Sequence, residues 1–497
     1  MARYTRSEVK IEGAYPVLEL LELTMDIGVN RHGTLTYGGY VAEENAAYYI
    51  HQSAERQLVN VFLNDELEFC GYPQEISVDC QNENCYLRVT LVTSSQFMDI
   101  DLYDRFFQKT DCTFANILNE AYEDAKTGNL VAVRGHEIIA APILQYRETD
   151  WQFTLRMAGK IGTVVIPNVT LAEPQIMFGI PKRQIIDETN SIVYSIGSNS
   201  AEYMRKSATI DGMGYQKFLS YKMESENRYR LGDNVSIDGK ILTVVQKNFV
   251  YERGEIQETY VLSSEAEYAV PFHHNKKIPG LELEGRVIER LGQQLLTVLD
   301  IDAQRNNSAN TWFSYAPATN NGMYSMPLEN EKITLQWQSE TDGDILAVQP
   351  VRKNSHDMYD HRQRHFLTEH ENHLLMIANK VEYTNPVGSM KWLAGIGFEI
   401  STNKDISLFA QGNININSQA QVAVWSPERI TASKANVSSS IDMISSEIHL
   451  ATTDLKVTSQ TNKSKTARLP ENPPGFTIDD TVKKIVAAVP VISNAGK

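Results

Sequence analysis

Through residues 1 to about 105, apolar and polar positions alternate in short runs, as at 58–63 and 87–92, with turns at His32-Gly33, Gly38-Gly39 and Gly71-Tyr72-Pro73. A period of two predicts strands. The period then changes. Phe114, Ile117, Leu118, Ala121 and Tyr122 share one helical face behind a capping Thr113, and Gly128 is expected to end that helix. Thr149-Asp150-Trp151-Gln152 carries a capping-box pattern. Behind it Phe153, Met157 and Ile161, widened by Leu155 and Ala158, predict a second helix that stops at Gly162. Two such helices among many strands indicate an α+β unit, and the similar order of elements hints at an internal duplication.

From about 205 to 350 the pairs Asp238-Gly239, Arg253-Gly254, Leu291-Gly292 and Asp342-Gly343 lie between runs of Val, Ile, Leu, Tyr or Thr. X-Gly pairs between such runs predict successive hairpins, as in small antiparallel barrels. Pro271 and residues 273–280 read as a connector between two of them.

A different rhythm begins at Phe398. Apolar residues come in pairs two apart, Phe398/Ile400, Ile406/Leu408, Ile414/Ile416, Val422/Val424 and more weakly Ile430/Ala432, and the pairs recur every eight residues. Further on the spacing becomes irregular, with Ala435/Val437, Ile441/Met443, Ile448/Leu450 and Leu455/Val457. Each pair places two side chains on one face of a strand. Three residues cannot enclose a core, and an octad is too short for one chain to coil round an interior. The expected solution is three chains, each giving one strand per turn, with Phe398, Ile400, Ile406, Leu408, Ile414, Ile416, Val422, Val424 and Ile430 meeting on a common axis. Roughly nine strands of this kind make a rod on the order of 40–50 Å long.

The totals narrow the classes. The 497 residues suggest roughly three or four domains. A net charge of −16 argues against a phosphate-binding surface and so against nucleic acid as partner. No run of about 20 apolar residues is present to span a bilayer, and the N-terminal residues lack an apolar signal core, so the chain is expected to mature in the cytoplasm. Cys70, Cys80, Cys85 and Cys112 form no CxxC pair and are expected as reduced, partly buried thiols.

Gln145-Tyr146-Arg147-Glu148-Thr149-Asp150-Trp151-Gln152-Phe153, followed by Arg156, Ala158 and Gly162, resembles the "QYrETDwxFxxRlAxxxG" segment of the VgrG and phage late control D family, with Met157 in place of the more usual Leu. Phe106-Phe107-Gln108-Lys109-Thr110 leading into Thr113-Phe114 is similar to the family's entry to its first helix, and Phe69-Cys70-Gly71-Tyr72 stands where members often have "FxGxV". Arg230-Leu231-Gly232-Asp233-Asn234-Val235, Pro279-Gly280-Leu281 and Gly285-Arg286-Val287 resemble later landmarks in the same order. The resemblance covers about residues 20–460 and implies a mainly β chain with an α+β hub. It implies two barrel-like hub domains (1–165 and 166–280), an OB-like barrel (281–353), a connector (354–390) and a C-terminal trimeric β-helix or β-prism needle (391–460). Residues 461–497 follow as a flexible tail, with a short helix from Asp479 or Asp480 to Val489 before Pro490. That tail is expected either as a disordered end or as a docking segment. The needle lacks the regular glycine of many phage spikes, so its corners are expected to turn differently, and its shortness suggests that another protein caps it.

The family's function, as the resemblance implies it, is mechanical: a non-enzymatic hub-spike subunit of a contractile injection system that nucleates the inner tube and pierces a target envelope. Implied partners are two further copies, the inner-tube and baseplate proteins, and a PAAR-like tip protein or cargo at the needle end or tail. The target membrane is met only during puncture. Assembly is expected in the cytoplasm, before the protein leaves as part of an injected or released particle. No cofactor, metal or catalytic residue is expected. His361 and His365 would share a helical face, but the His-rich stretch from His356 to His373 reads as a solvated connector, and Asp99, Asp101 and Asp104 as adjacency expected in an acidic chain. The alternatives are a peptidoglycan-degrading baseplate enzyme, for which 353–394 is too short a hydrolase insert, and a trimeric adhesin or receptor-binding fibre, for which the rod lacks a distal head.

Overall fold

The computed structural model of the chain describes residues 4–52, 57–81, 84–188, 193–207, 214–225, 227–252, 254–302, 309–317, 326–348, 363–368, 370–433, 440–444 and 447–451. It divides into two units, Met1–Gln363 and Arg364–Lys497, each described by itself.

Alternating apolar positions in the first unit close one large core. The strands join in a 13-stranded sheet whose main path runs Val193–Ser198, Leu219–Glu224, Glu255–Ser263, Lys240–Glu252, Glu19–Gly28, Thr34–Val41, Asn84–Thr93, Glu66–Gln81, Val59–Leu63 and Val9–Glu12. Its two halves meet where Lys240–Glu252 pairs with Glu19–Gly28, Phe249 opposite Met25. Leu23, Met25 and Ile27 from one half and Val244, Phe249 and Tyr260 from the other are buried in the same cluster. The two regions expected as separate domains, 1–165 and 166–280, therefore share a sheet and a core.

Both helices form where their patterns place them. In Phe114–Ala125, Thr113 Oγ1 accepts from Asn116 N at 3.2 Å while Asn116 Oδ1 accepts from Thr113 N at 3.0 Å. This helix ends earlier than Gly128, at a left-handed Lys126. Gly128 serves a close approach instead, since a Cβ there would lie 2.9 Å from Pro174 O. In Asp150–Ile161, Thr149 Oγ1 accepts from Gln152 N without the return bond of a full capping box, and Gly162 caps the end at φ +66°. The two helices pack together in one cluster, Phe114, Ile117 and Leu118 with Phe153, Met157 and Ala158. They do not stand one in each half of the large sheet.

Strands Glu282–Leu291, Gln294–Leu299, Trp312–Ala316, Lys332–Trp337 and Ile345–Val348 close a barrel in the order first, second, third, fifth, fourth. The third and fifth are parallel, as in an OB-fold. Val287, Leu295, Phe313, Leu335 and Trp337 fill it.

The second unit opens with a five-stranded antiparallel meander, Arg364–Leu367, His373–Ile377, Lys380–Thr384, Gly388–Leu393 and Gly397–Thr402. Strands thus occupy much of the stretch read as a connector, and the meander runs across residue 390. His365 lies on a strand rather than a helix, paired with Leu375 of the next strand. His361 is outside the described residues, as is the 461–497 tail with its expected helix. A three-stranded sheet, Arg429–Ser433, Ser440–Ile444 and Glu447–Ala451, follows.

One expectation about thiols is corrected. Cys80 and Cys85 stand directly opposite each other on the hairpin of Glu66–Gln81 and Asn84–Thr93, and they form a disulfide. Strand pairing brings their Cα atoms to 4.1 Å, a proximity that a search for CxxC spacing does not detect. Cys70 and Cys112 are free.

Candidate functional site

The 145–153 segment builds a buried ionic junction. It begins on strand Ile143–Glu148, paired with Tyr103–Phe107, and ends on the Asp150–Ile161 helix. A bulge at Arg147, which has φ +49°, turns the chain between the two. Its backbone is held there by Asp104 Oδ1, which accepts from Arg147 N at 2.8 Å, and by Lys277 Nζ, which donates to Arg147 O at 2.6 Å. Tyr146 O accepts from Asn275 Nδ2 at 2.8 Å.

Two fully buried arginines collect the motif's polar atoms. Arg105 donates to Gln145 Oε1 at 2.8 Å, to Asp150 Oδ1 at 2.6 Å and to Asp124 Oδ2 at 2.7 Å. Gln145 Nε2 reaches Asp150 Oδ1 as well, at 3.0 Å. Arg156 donates to Glu148 Oε1 and Oε2 at 2.8 and 2.7 Å, to Leu144 O at 2.7 Å, and across to Asp342 Oδ1 of the barrel at 3.1 Å. Lys160 Nζ adds a second contact to Asp342, at 2.6 Å. Burial opposes the Arg156 charge, but Glu148 and Asp342 more than offset it and raise its pKa. The cation is thus kept in a dry site by paired carboxylates, the condition under which a buried charge is tolerated.

The remaining motif residues pack. Trp151 packs on His32 with tilted rings whose centroids are 4.2 Å apart, and Phe153 stacks on Phe107 at 5.6 Å. The FQ segment engages the barrel: Phe106 lies in the barrel's core, and Gln108 Nε2 donates to Thr297 O at 3.0 Å. Of the acidic residues weighed as possible catalysts, Asp104 accepts from Arg147 N and Asp99 from Thr149 Oγ1. The sequence reading missed Arg105, Asp124 and Asp342, whose partners lie far along the chain.

The second candidate feature is an uncovered apolar row. Cross-strand partners in the meander place Phe366, Leu374, Tyr383, Met390 and Ile400 in one line, and Met376, Val381, Trp392 and Phe398 in the next, all on one face. The opposite face is mixed, with His365, Leu375, Glu382, Lys391 and Glu399 in one line and Ile377, Lys380 and Leu393 in another. The first octad pair, Phe398 and Ile400, therefore continues the apolar face of the meander. Trp392, Phe398 and Ile400 are each about half exposed. Ile406, Leu408, Ile414, Ile416, Val422 and Val424 are exposed too, while Ile430 is half-buried on a strand opposite Met443.

Between 404 and 428 the backbone makes no backbone–backbone hydrogen bond to any described residue. Side chains turn its corners. Thr402 Oγ1 accepts from Lys404 N, Ser418 Oγ from Ala420 and Gln421 N, and Ser426 Oγ from Glu428 and Arg429 N, at 3.1–3.4 Å. Thr402, Ser418 and Ser426 fall on the octad period, so hydroxyl turns stand where glycine is missing. Position 410 is Ala, and Gly412 follows it.

No group of three or more His, Cys, Asp or Glu side chains among the described residues is placed to hold a metal ion. No helix among them is long and apolar enough to cross a membrane.

No protein-family model and no curated protein sequence matches the chain. Among solved structures, a chain of the lidded Francisella PdpA–VgrG complex matches with a TM-score of 0.51 and 8% identity, over 80% of this chain and 80% of that one. The E. coli c3393 protein, described as a component of the type VI secretion system similar to the T4 bacteriophage tail proteins gp27 and gp5, matches with 0.46 and 10% identity, over 68% and 98%. The 43 kDa tail protein of prophage MuSo2 from Shewanella oneidensis matches with 0.40 and 9%, over 52% and 98%. At these identities the likeness is one of fold. The chain shares the fold of a chain of the Francisella PdpA–VgrG complex.

Proposed function

We propose that the chain is the structural hub-spike subunit of a contractile injection system, working as a homotrimer and carrying no catalysis of its own. The observation that carries this reading is the stretch 398–424. It combines a period-eight apolar stripe, exposed in the single chain, with 25 consecutive residues (404–428) lacking backbone partners among the described residues. Unpaired strands and bare apolar rows are each unfavourable in water, and a bare strand edge invites aggregation. Three copies round a common axis remove both costs at once: the backbones pair between chains and Ile406, Leu408, Ile414, Ile416, Val422 and Val424 meet inside. Cyclic symmetry closes the assembly with no edge left over.

In this reading the first unit forms a hub ring, seats the inner tube and contacts the baseplate. The second is a stiff point driven through a target envelope, its far end or tail taking a tip protein or cargo. Assembly in the cytoplasm precedes incorporation into the particle. Light scattering after size exclusion tests the central claim. A mass near three times 56.1 kDa is expected; a stable, well-dispersed monomer would overturn the axial packing.

A further inference from the structure

We infer that a cleft in the hub, lined by Arg183, Arg228, Arg230 and Lys247, binds an acidic peptide segment of a protein partner. The cleft encloses about 710 Å³. It lies between the start of strand Glu66–Gln81, the loop after Val165–Pro167, and the 228–231 segment. Two carboxylates, Glu66 and Glu68, line the same hollow beside the four cations.

The carboxylates in and behind the wall are already engaged. Arg228 contacts Glu66 at 2.8 Å and also Glu68, Lys247 contacts Glu68 at 2.7 Å and Glu258 at 3.7 Å, and Arg183 pairs with Asp233. Lys247 is almost fully buried, and burial pushes its pKa down to about 8. What remains on offer is Arg230. Its backbone N–H donates to Asp233 Oδ2 at 2.7 Å, but its exposed guanidinium has no ion pair or hydrogen bond among the described residues. Arg228 Nε is buried beside it without a hydrogen-bond partner among them. A planar fork of free N–H groups suits a carboxylate, bidentate and charge-assisted.

The rest of the lining decides the body of the ligand. Leu67, Ile166, Pro167, Val169 and Met177 form an apolar wall beside the cations. The volume lies within the roughly 300–1,000 Å³ common for ligand sites. Inorganic phosphate would leave that wall wet, whereas alternating apolar and acidic side chains would cover it and meet Arg230. The inference is independent of the trimer and of the needle.

Titration calorimetry on the full chain tests it, with a blocked hexapeptide alternating leucine and glutamate, its glutamine counterpart, and inorganic phosphate. The glutamate peptide is expected to bind at least about tenfold more tightly than the other two, with the affinity falling as salt rises. Arg230→Ala should weaken it about tenfold, and Arg230→Lys should restore part of the loss as a point charge without the fork. Equal binding of the glutamate and glutamine peptides, phosphate binding as tightly as the peptide, or an unchanged affinity in Arg230→Ala would each overturn the assignment. Arg230 is exposed and makes no side-chain contact of the kinds described, so the variant should melt with the parent.

Discussion

Arg156 and Asp342 are separated by 186 residues in sequence and by 3.1 Å in space, and their contact ties the Asp150–Ile161 helix to a hairpin turn of the barrel. Both side chains are almost fully buried, with Glu148 and Lys160 completing the cluster. Removing one partner leaves a buried charge short of its counter-ion. Asp342→Ala is therefore expected to destabilise the first unit by about 3–5 kcal/mol, and Asp342→Asn by less. Chemical denaturation followed by Trp fluorescence measures this directly, because Trp337 Nε1 donates to Asp342 O at 3.1 Å. A change below about 1 kcal/mol in Asp342→Ala would mean that the junction contributes little.

His32 gives the first unit an acid-sensitive point. Burial against Trp151 lowers its pKa from the ordinary value near 6.5, and Asp99 only partly opposes this. As pH falls through 6.5 the unfolded chain takes up a proton that the folded chain accepts only at lower pH. The unfolded state then binds more protons, so stability drops as pH falls below 6.5. In His32→Gln this part of the slope between pH 5 and 7 is expected to vanish; an identical slope in parent and variant would remove His32 as its source.

The octad pairs can be tested apart from the hub. Ile414→Asp with Ile416→Asp places charges on the proposed axis and should disrupt the needle while the first unit melts as in the parent. Limited proteolysis is expected to open the 403–428 stretch in the double variant and to leave it closed in the parent. Equal resistance in both would place these side chains somewhere other than an interior.

The two faces of the meander should respond differently. Trp392→Asp lies on the apolar face and is expected to lower the mass measured by light scattering, by loosening association between copies. Glu399→Ala, on the opposite, mixed face beside Lys391, should leave that mass unchanged. If both variants keep the parent mass, the apolar face is not part of a contact between copies.

Cysteine accessibility separates the bonded pair from the free thiols. Alkylation of unfolded, unreduced protein should label two of the four cysteines, Cys70 and Cys112, and reduction should release Cys80 and Cys85. Labelling of all four without reduction would mean that the hairpin end is held by strand pairing alone.

Much of this molecule is local and can be read from one stretch at a time. The two helices, their Thr113 and Thr149 caps, the Asp238-Gly239 and Leu291-Gly292 hairpins and the eight-residue rhythm of Phe398 to Ile430 each depend on residues within a few positions of one another. Side-chain period and turn chemistry are set at that range, so the order of residues in each stretch is enough to specify them. What decides the rest acts at a distance. That Gln145 and Asp150 serve Arg105, that Glu148 serves Arg156, and that Asp342 of a legible turn supplies the counter-ion follow from burial of charges brought together by folding. So does the Cys80–Cys85 bond, which depends on strand register. Strands Glu19–Gly28 and Lys240–Glu252 likewise joined in one sheet, with Met25 and Phe249 facing the same core. A period records which face of an element is apolar, and only the tertiary structure decides what that face, or a charge beside it, will meet.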